Sequence, residues 1–451
     1  MKPVLKFLAL GLFSLPAYAA DHVDSTLKAG AAKVEFTPDA TALPEGYLGI
    51  LDPVYVRALV LQTGKSKAAL VSVDAGAIPD QVWLAASEAS AKLGIPREAL
   101  QVTATHTHSV PRDLGAVLSA RIAEALKAAD ARLEPARIAY GEGVSFINVN
   151  RNMIDPETRK WWEGPNYDGP SDKTVAVVKV ETTNGQPIAL YYNYAVHAVI
   201  TGQLDKVSGD IPGATSRYIE DALDDRAVAL WSEGAAGDQN PIFFQQTYDL
   251  REIRIKDFAA RGIDISNTML PGGKELDRSN PAVLKLMKQQ EQMIASMGQM
   301  LGEEVLHVAR SNMNRAETVP VIYGSQKDIT CPGRTRTDEG RAGAPGTYVD
   351  ADPVPIRLSL LRVGDIVIGG VNAEVFNPIA MKFKARSPFA RTVMATLTNG
   401  YAPSGYIPHD AAYAQYTFEV VSSRLKPGCA EEAIAEGLLD LIEGSEKARL
   451  R

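Results

Sequence analysis

Cysteine is nearly absent from this 451-residue chain: only Cys331 and Cys429 occur. Two thiols with no Cys-x-x-Cys spacing cannot build a thiolate metal site, so any metal bound here has to use imidazole, carboxylate or phenolate. They can close one disulfide or remain two buried thiols. Histidine is scarce too, at six residues. Beyond the first 20 residues no apolar run is long enough to span a bilayer. Basic runs and basic-aromatic patches are missing, and the net charge is −7. That balance argues against nucleic acid and anionic membranes as main partners and says nothing about a substrate. No repeat, low-complexity tract or clean linker divides the sequence.

What is present begins with an export signal. Lys2 and Lys6 flank the start of an apolar run over 4–15, and Ala17-Tyr18-Ala19 supplies the small residues of a cleavage site. Residues 1–19 read as a secretory signal peptide, and the mature protein as exported, periplasmic or secreted, with no transmembrane segment. Losing two lysines takes the net charge to about −9. Residues 20–451 are expected to form a single domain. No pattern sets an oligomeric state.

Strand and helix signals alternate along the mature chain. Residues 67–73 read as a buried strand. Asp80 caps a helix over 81–93 that stops at Gly94 and Pro96, and the next strand covers 100–103. An amphipathic helix over 114–131 follows. Strands over 174–181 and 187–194 join around Asn184-Gly185 as a hairpin, and a short strand over 227–231 opens into a Gly-rich loop over 234–241. Residues 243–280 look polar and irregular. A long helix covers 281–311, with Met287, Met293, Met297 and Met300 packing a core or lid face. Residues 331–354 read as a surface loop. A hairpin over 355–370 leads to Glu374, a strand over 392–397 leads to Tyr401, and a helix over 430–443 closes the chain. The pattern implies an α/β fold of mixed β-sheets flanked by helices.

Chemistry concentrates at strand exits. His106 and His108 flank Thr107 just after the 100–103 strand. Side chains at i and i+2 of an extended segment point the same way, and imidazole is the commonest protein ligand for zinc. The pair can be two ligands, one ligand with an acid-base neighbour, or two solvated rings. His197, Glu374, and the Tyr401/Tyr406 segment follow three further strands. Each alone has a plain alternative: a core histidine, an arginine partner, an aromatic plug.

Together these segments resemble the neutral/alkaline ceramidases, zinc amidases that cut the N-acyl bond of ceramide. The similarity runs from about residue 30 to about residue 430. It rests on Ala32 to Pro38, on Thr105-His106-Thr107-His108-Ser109 with Pro111, and on Asn148, Asn150 and Arg151. It continues through Ser171 to Thr174, Ala195-Val196-His197, Ser208-Gly209-Asp210, Gly237-Asp238 with Pro241, and Tyr406-Ile407 with Tyr413. The resemblance implies a Zn2+ cofactor held by His106, His197, Glu374 and Tyr406. It places His108, Arg151 and Asn240 beside the reacting bond, and Tyr401, Tyr413 and Phe418 on the substrate side. Asp210 and Asp238 are candidates to orient a ligand histidine through its second nitrogen, or to cap their loops.

Two imidazoles and a carboxylate suit a hydrolytic zinc on chemical grounds, because they leave a position for water, whose pKa falls from ~15.7 to about 7. His108 then shuttles a proton or donates to a developing oxyanion. Arg151 either stabilises charge on the attacked carbonyl or makes an ion pair. Departures from the family bear on the substrate. Asn240 stands where ceramide-cleaving members carry serine, and its amide can donate a hydrogen bond but cannot be a nucleophile. Phe418 replaces a tyrosine, Asn372-Ala373 beside Glu374 depart from the expected glycine, and the family's C-terminal β-sandwich is missing. The resemblance therefore implies an exported zinc hydrolase, an amidase of an N-acyl, lipid-like or other small-molecule substrate. A hydrolase of a sugar derivative, other amide or ester, and a non-catalytic protein that kept the metal site, remain open.

Overall fold

The computed structural model describes residues 25–265, 276–338 and 343–449; the signal-peptide segment lies outside them. An eight-stranded sheet runs Val228–Glu233, Pro187–Tyr194, Thr174–Thr182, Glu134–Val144, Lys28–Glu35, Tyr55–Thr63, Ser66–Val73, Leu100–Ala104. Only two residue pairs, Lys28 with Pro135 and Ala29 with Glu134, join its two halves. The halves fold over one another, so that Leu59, Leu61 and Leu70 share one core with Val178, Tyr191 and Leu230.

Period-two alternation sorts the side chains of strands buried on both faces. Leu59 and Leu61 face the inner core, while Val56, Ala58 and Val60 meet α1 (Asp80–Ala91) and α2 (Gly115–Asp130). On the opposite outer face Val175, Val177 and Tyr192 meet α3 (Asp210–Ala222), α4 (Gln245–Ala259) and α5 (Pro281–Ser311). Each fully buried Val or Leu contributes about 1.5–3 kcal/mol relative to exposure. A separate four-stranded sheet, Ile322–Arg336, Tyr348–Val363, Ile366–Val371 and Arg391–Ala395, closes the inner core with Leu361, Ile368 and Val393. It carries α6 (Asn377–Arg386) on its other face. The short α7 (Phe418–Ser422) precedes α8 (Ala430–Arg449), which packs beside α6. No helix among the described residues is long and apolar enough to cross a membrane.

Three β-α-β crossovers position the site. Ser66–Val73 and Leu100–Ala104 run parallel across α1, Pro187–Tyr194 and Val228–Glu233 across α3, and Ile366–Val371 and Arg391–Ala395 across α6. Parallel pairing brings both carboxyl ends of a pair to one edge, where α/β folds bind ligands. Backbone bonds stitch the three edges together: Ala104 N donates to Leu397 O at 3.2 Å, Thr396 N to Glu233 O at 2.8 Å, and Gly237 N to Val375 O at 2.9 Å.

The mixed sheets and flanking helices agree with the sequence pattern, and the 31-residue α5 begins at Pro281 behind an Asn280 cap that accepts from Ala282 N at 2.9 Å. Two stretches differ. Residues 243–280 contain α4, whose buried positions are only Thr247, Leu250, Arg254 and Phe258; so little apolar surface leaves no clear period. Residues 331–336 and 348–354 are the far ends of two long paired strands, in register from Cys331 with Val354 to Arg336 with Tyr348, and 339–342 lie outside the described residues. A bulge between Cys331 and Gly333 absorbs the Pro-Gly step, and a Cys331–Cys429 disulfide ties the hairpin to the start of α8. Asp80 is not the cap of α1. It sits one residue inside, behind Pro79, and pairs with Arg357 at 3.2 Å.

Candidate metal centre

His106 leaves its strand with φ at +65°, a left-handed conformation that costs a side-chain-bearing residue on the order of 1–3 kcal/mol. There its Nδ1 reaches the carbonyl of Gly76 at 2.7 Å. His197 leaves the Pro187–Tyr194 strand and places its Nδ1 2.6 Å from Ala236 O and 3.2 Å from Gln239 O. A carbonyl only accepts, so Nδ1 carries the proton on both rings and Nε2 is the bare nitrogen. Both Nε2 atoms face one carboxylate oxygen: Glu374 Oε2 is 3.1 Å from His106 and 3.3 Å from His197. His108 Nε2 lies 3.3 Å from His106 Nε2, and ligating atoms of the three imidazoles fall within 4.8 Å of one another.

Glu374 comes from a two-residue strand, Glu374–Val375, paired in parallel with Tyr406–Ile407, and Glu374 and Tyr406 are direct partners in that register. The loop over 234–241 approaches this strand closely. A Cβ on Gly237 would lie 2.9 Å from Glu374 O and the Val375 backbone, so only glycine fits. Tyr401 donates its hydroxyl to the second Glu374 oxygen at 2.9 Å. Arg151 donates from Nη2 to Tyr406 Oη at 3.3 Å and to Gly237 O at 2.8 Å, from Nη1 to Asn240 Oδ1 at 3.2 Å, and from Nε to Glu419 at 2.6 Å. Asn240 in turn donates to Glu163 at 2.9 Å. Its amide is thus engaged on both sides, and the Arg151 guanidinium is buried with all three of its nitrogens engaged by protein groups.

The electrostatics match a site for a cation. Burial, with Arg151 and His106 nearby, pushes the His197 imidazole down to about 3, so that ring is neutral. His108 is open to the recess; the part of its hydration it loses there, and the two neighbouring imidazoles, hold it below its ordinary value. Burial alone pushes the Glu374 carboxyl up; positive charge on the imidazole side, at His106 first, more than offsets this and leaves it well below the usual carboxylate range, so the low value calls for a proton or a cation at the bare nitrogens. Burial and the Glu374 charge push the Tyr406 phenol well above 10. Bare nitrogens locked by their Nδ1 contacts therefore face an ionised carboxylate oxygen. Lone pairs at 3.1 and 3.3 Å repel unless a proton or a cation lies among them. Two neutral imidazoles and a carboxylate are a zinc donor set, so the residues fit that ion.

Several expected residues lie elsewhere. Neither Asp210 nor Asp238 touches an imidazole, because backbone carbonyls already occupy the second nitrogens. Asp210, at φ +53°, accepts from Thr201 N and Oγ1 at 2.8 and 2.6 Å and from Ile211 N at 2.7 Å. Asp238 accepts from Asn377 N at the start of α6 at 2.8 Å and from Asn150 Nδ2 at 3.0 Å, and burial raises its carboxyl to about 6. Phe418 packs edge-on against Tyr406 and under the Arg151 guanidinium. Tyr413 packs with Phe376, Ala412 and Val420 behind Tyr406. Sequence reasoning missed Glu419 and Glu163, and it missed the bond from Tyr401 to Glu374, which Tyr401 makes while also lining the recess on the expected substrate side. A recess of about 300 Å³ opens beside the centre, lined by His106, His108, Glu374, Tyr401, Val110 and Leu118 among others.

No family model matches the chain, and no curated protein matches it in sequence. Solved structures do match in fold. One, described as a ceramidase complexed with C2, superposes with a TM-score of 0.67 at 18% identity, covering 94% of this chain and 76% of that one. Another, neutral ceramidase from Pseudomonas aeruginosa, gives 0.65 at 17% identity over 92% of this chain and 74% of that one. The chain therefore has the fold of the neutral ceramidases.

Proposed function

We propose that the protein is an exported zinc hydrolase that cuts the amide bond of an N-acyl substrate. The observation that carries this reading is the convergence of His106 Nε2, His197 Nε2 and Glu374 Oε2, with both rings fixed by backbone carbonyls. Those three atoms and the Tyr406 phenol would hold the ion. Bound zinc acts as a Lewis acid and acidifies water. The chain's own residues do the rest. Gly76, Ala236 and Gln239 hold the rings by their carbonyls, Tyr401 orients Glu374, and Arg151, itself anchored by Glu419, fixes the Tyr406 oxygen. His108, neutral on the recess wall, accepts the proton released as water oxygen adds to the carbonyl carbon. It returns that proton to the nitrogen as the C–N bond breaks, giving acid and amine.

Export is supported by the signal-like segment over 1–19 and by the Cys331–Cys429 bond, which suits an oxidising compartment. Asn240 and Phe418 argue against long-chain ceramide as the preferred substrate. A side-by-side assay of ceramide, short N-acyl amides, esters and aryl glycosides tests the reading. Turnover of the short amides is expected. Ceramide cleavage at a kcat/KM on the order of 10⁴ M⁻¹s⁻¹ or more would overturn the substrate preference, and turnover of glycosides alone would overturn the amidase.

A further inference from the structure

Arg112 stands on the wall of the 300 Å³ recess that also exposes His106, His108 and Glu374. Its side chain is exposed, and no ion pair or hydrogen bond among the described residues engages its guanidinium. The buried or half-buried Arg57, Arg151 and Arg217, by contrast, are each held by carboxylates. The adjacent Asp113 is exposed and forms no ion pair with it. The other charged wall residue, Glu374, is already engaged by two imidazoles and Tyr401. Apart from these groups the wall is largely apolar, with Ala75, Ala77, Pro79, Val110 and Leu118. Leu118 belongs to the first turn of α2, so the positive end of that helix borders the same space. Arg112 is close enough for its charge to act on both His108 and Tyr401.

Size narrows the ligand further. A space of about 300 Å³ has room for about ten water molecules. It is at the small end of ligand sites, which run from roughly 300 to 1,000 Å³. One short arm fits, and two long hydrocarbon chains do not. A single guanidinium with no second cation on the wall matches a carboxylate, which it can grip through two parallel N–H donors. Resting on the amidase reading above, we propose that Arg112 selects the substrate: a small amide whose arm in the recess is a short apolar stretch ending in a carboxylate.

The test uses ω-(acetylamino) acids of two to six carbons, each beside its neutral primary amide, with wild type, Arg112→Gln and Arg112→Lys. Wild type should favour the acid of best length by about 10–100-fold in kcat/KM, mainly through KM. Arg112→Gln should erase that preference, lowering kcat/KM for the acid by about 10–100-fold and for its neutral amide by far less, and Arg112→Lys should restore part of it. Equal losses on both substrates, or no preference in wild type, would overturn the assignment while leaving the amidase intact. Calorimetry with 6-acetamidohexanoate, its primary amide and inorganic phosphate, on protein before and after chelator treatment, separates the two claims. If no amide is hydrolysed but the carboxylate binds in an Arg112-dependent manner, the anion site stands and the amidase falls. Binding that ignores charge, or Arg112-dependent phosphate binding tighter than the carboxylate's, overturns the carboxylate assignment.

Discussion

Arg151 and Glu419 form an ion pair at 2.6 Å in which neither side chain is more than 3% exposed. The pair is 268 positions apart in sequence and holds the guanidinium that reaches Tyr406. Removing one partner strands a charge in the interior. Glu419→Ala should cost about 3–5 kcal/mol in urea unfolding. The paired replacement Arg151→Met with Glu419→Leu should cost much less. Equal losses from the single and double variants would show that the charge pair is not what the site depends on.

Among the three imidazoles, His106 and His197 point bare nitrogens at Glu374, whereas His108 faces the recess. His197→Ala should lose zinc on elemental analysis. His108→Ala should keep it and lose about 10²–10⁴-fold in rate. Loss of zinc from His108→Ala would instead make His108 a third imidazole ligand.

Tyr401 should matter through Glu374. Tyr401→Phe removes the hydroxyl that donates to Oε1 at 2.9 Å, and an outer-shell loss of this kind typically costs 10–100-fold in metal affinity or activity. Zinc-buffer titration checks it; an unchanged affinity together with a raised KM would return Tyr401 to the substrate.

Asp238 sets a pH dependence. Its carboxyl rises from 3.8 to about 6 on folding, through burial, so the folded protein binds more protons than the unfolded chain between those values. Its contribution therefore favours folding at low pH and is lost as pH rises to about 6, by an amount on the order of 3 kcal/mol. Asp238→Asn should remove that component of the slope of unfolding free energy against pH between 4 and 6. An identical slope in wild type and variant would contradict the shift.

The sequence exposed the parts of the site that sit at strand exits. His106, His197 and Glu374 each follow an apolar run with clear strand character, and Tyr406 lies a loop beyond another; the structure brings the first three to one point, with Tyr406 paired to Glu374. Their supports were not legible. Glu419 and Glu163 meet Arg151 and Asn240 across long sequence separations, and nothing local marks either acid. The anchors of the two rings are backbone carbonyls, which carry no residue signature, so aspartates drew the attention instead. In the fold, the paired strands over 331–336 and 348–354 were hidden by their Gly, Pro and Arg content, and tertiary partners, among them the disulfide, hold them as strand. The polar α4 lacked the apolar period that made α5 obvious.

The most direct test is hydrolysis of a short N-acyl amide by the purified mature protein, with chelator and then with zinc restored. Activity should vanish with the chelator and return with about one equivalent of zinc per chain, and His197→Ala should stay inactive throughout. Hydrolysis that persists in chelator, or that survives undiminished in His197→Ala, would contradict a zinc centre built on His106, His197 and Glu374.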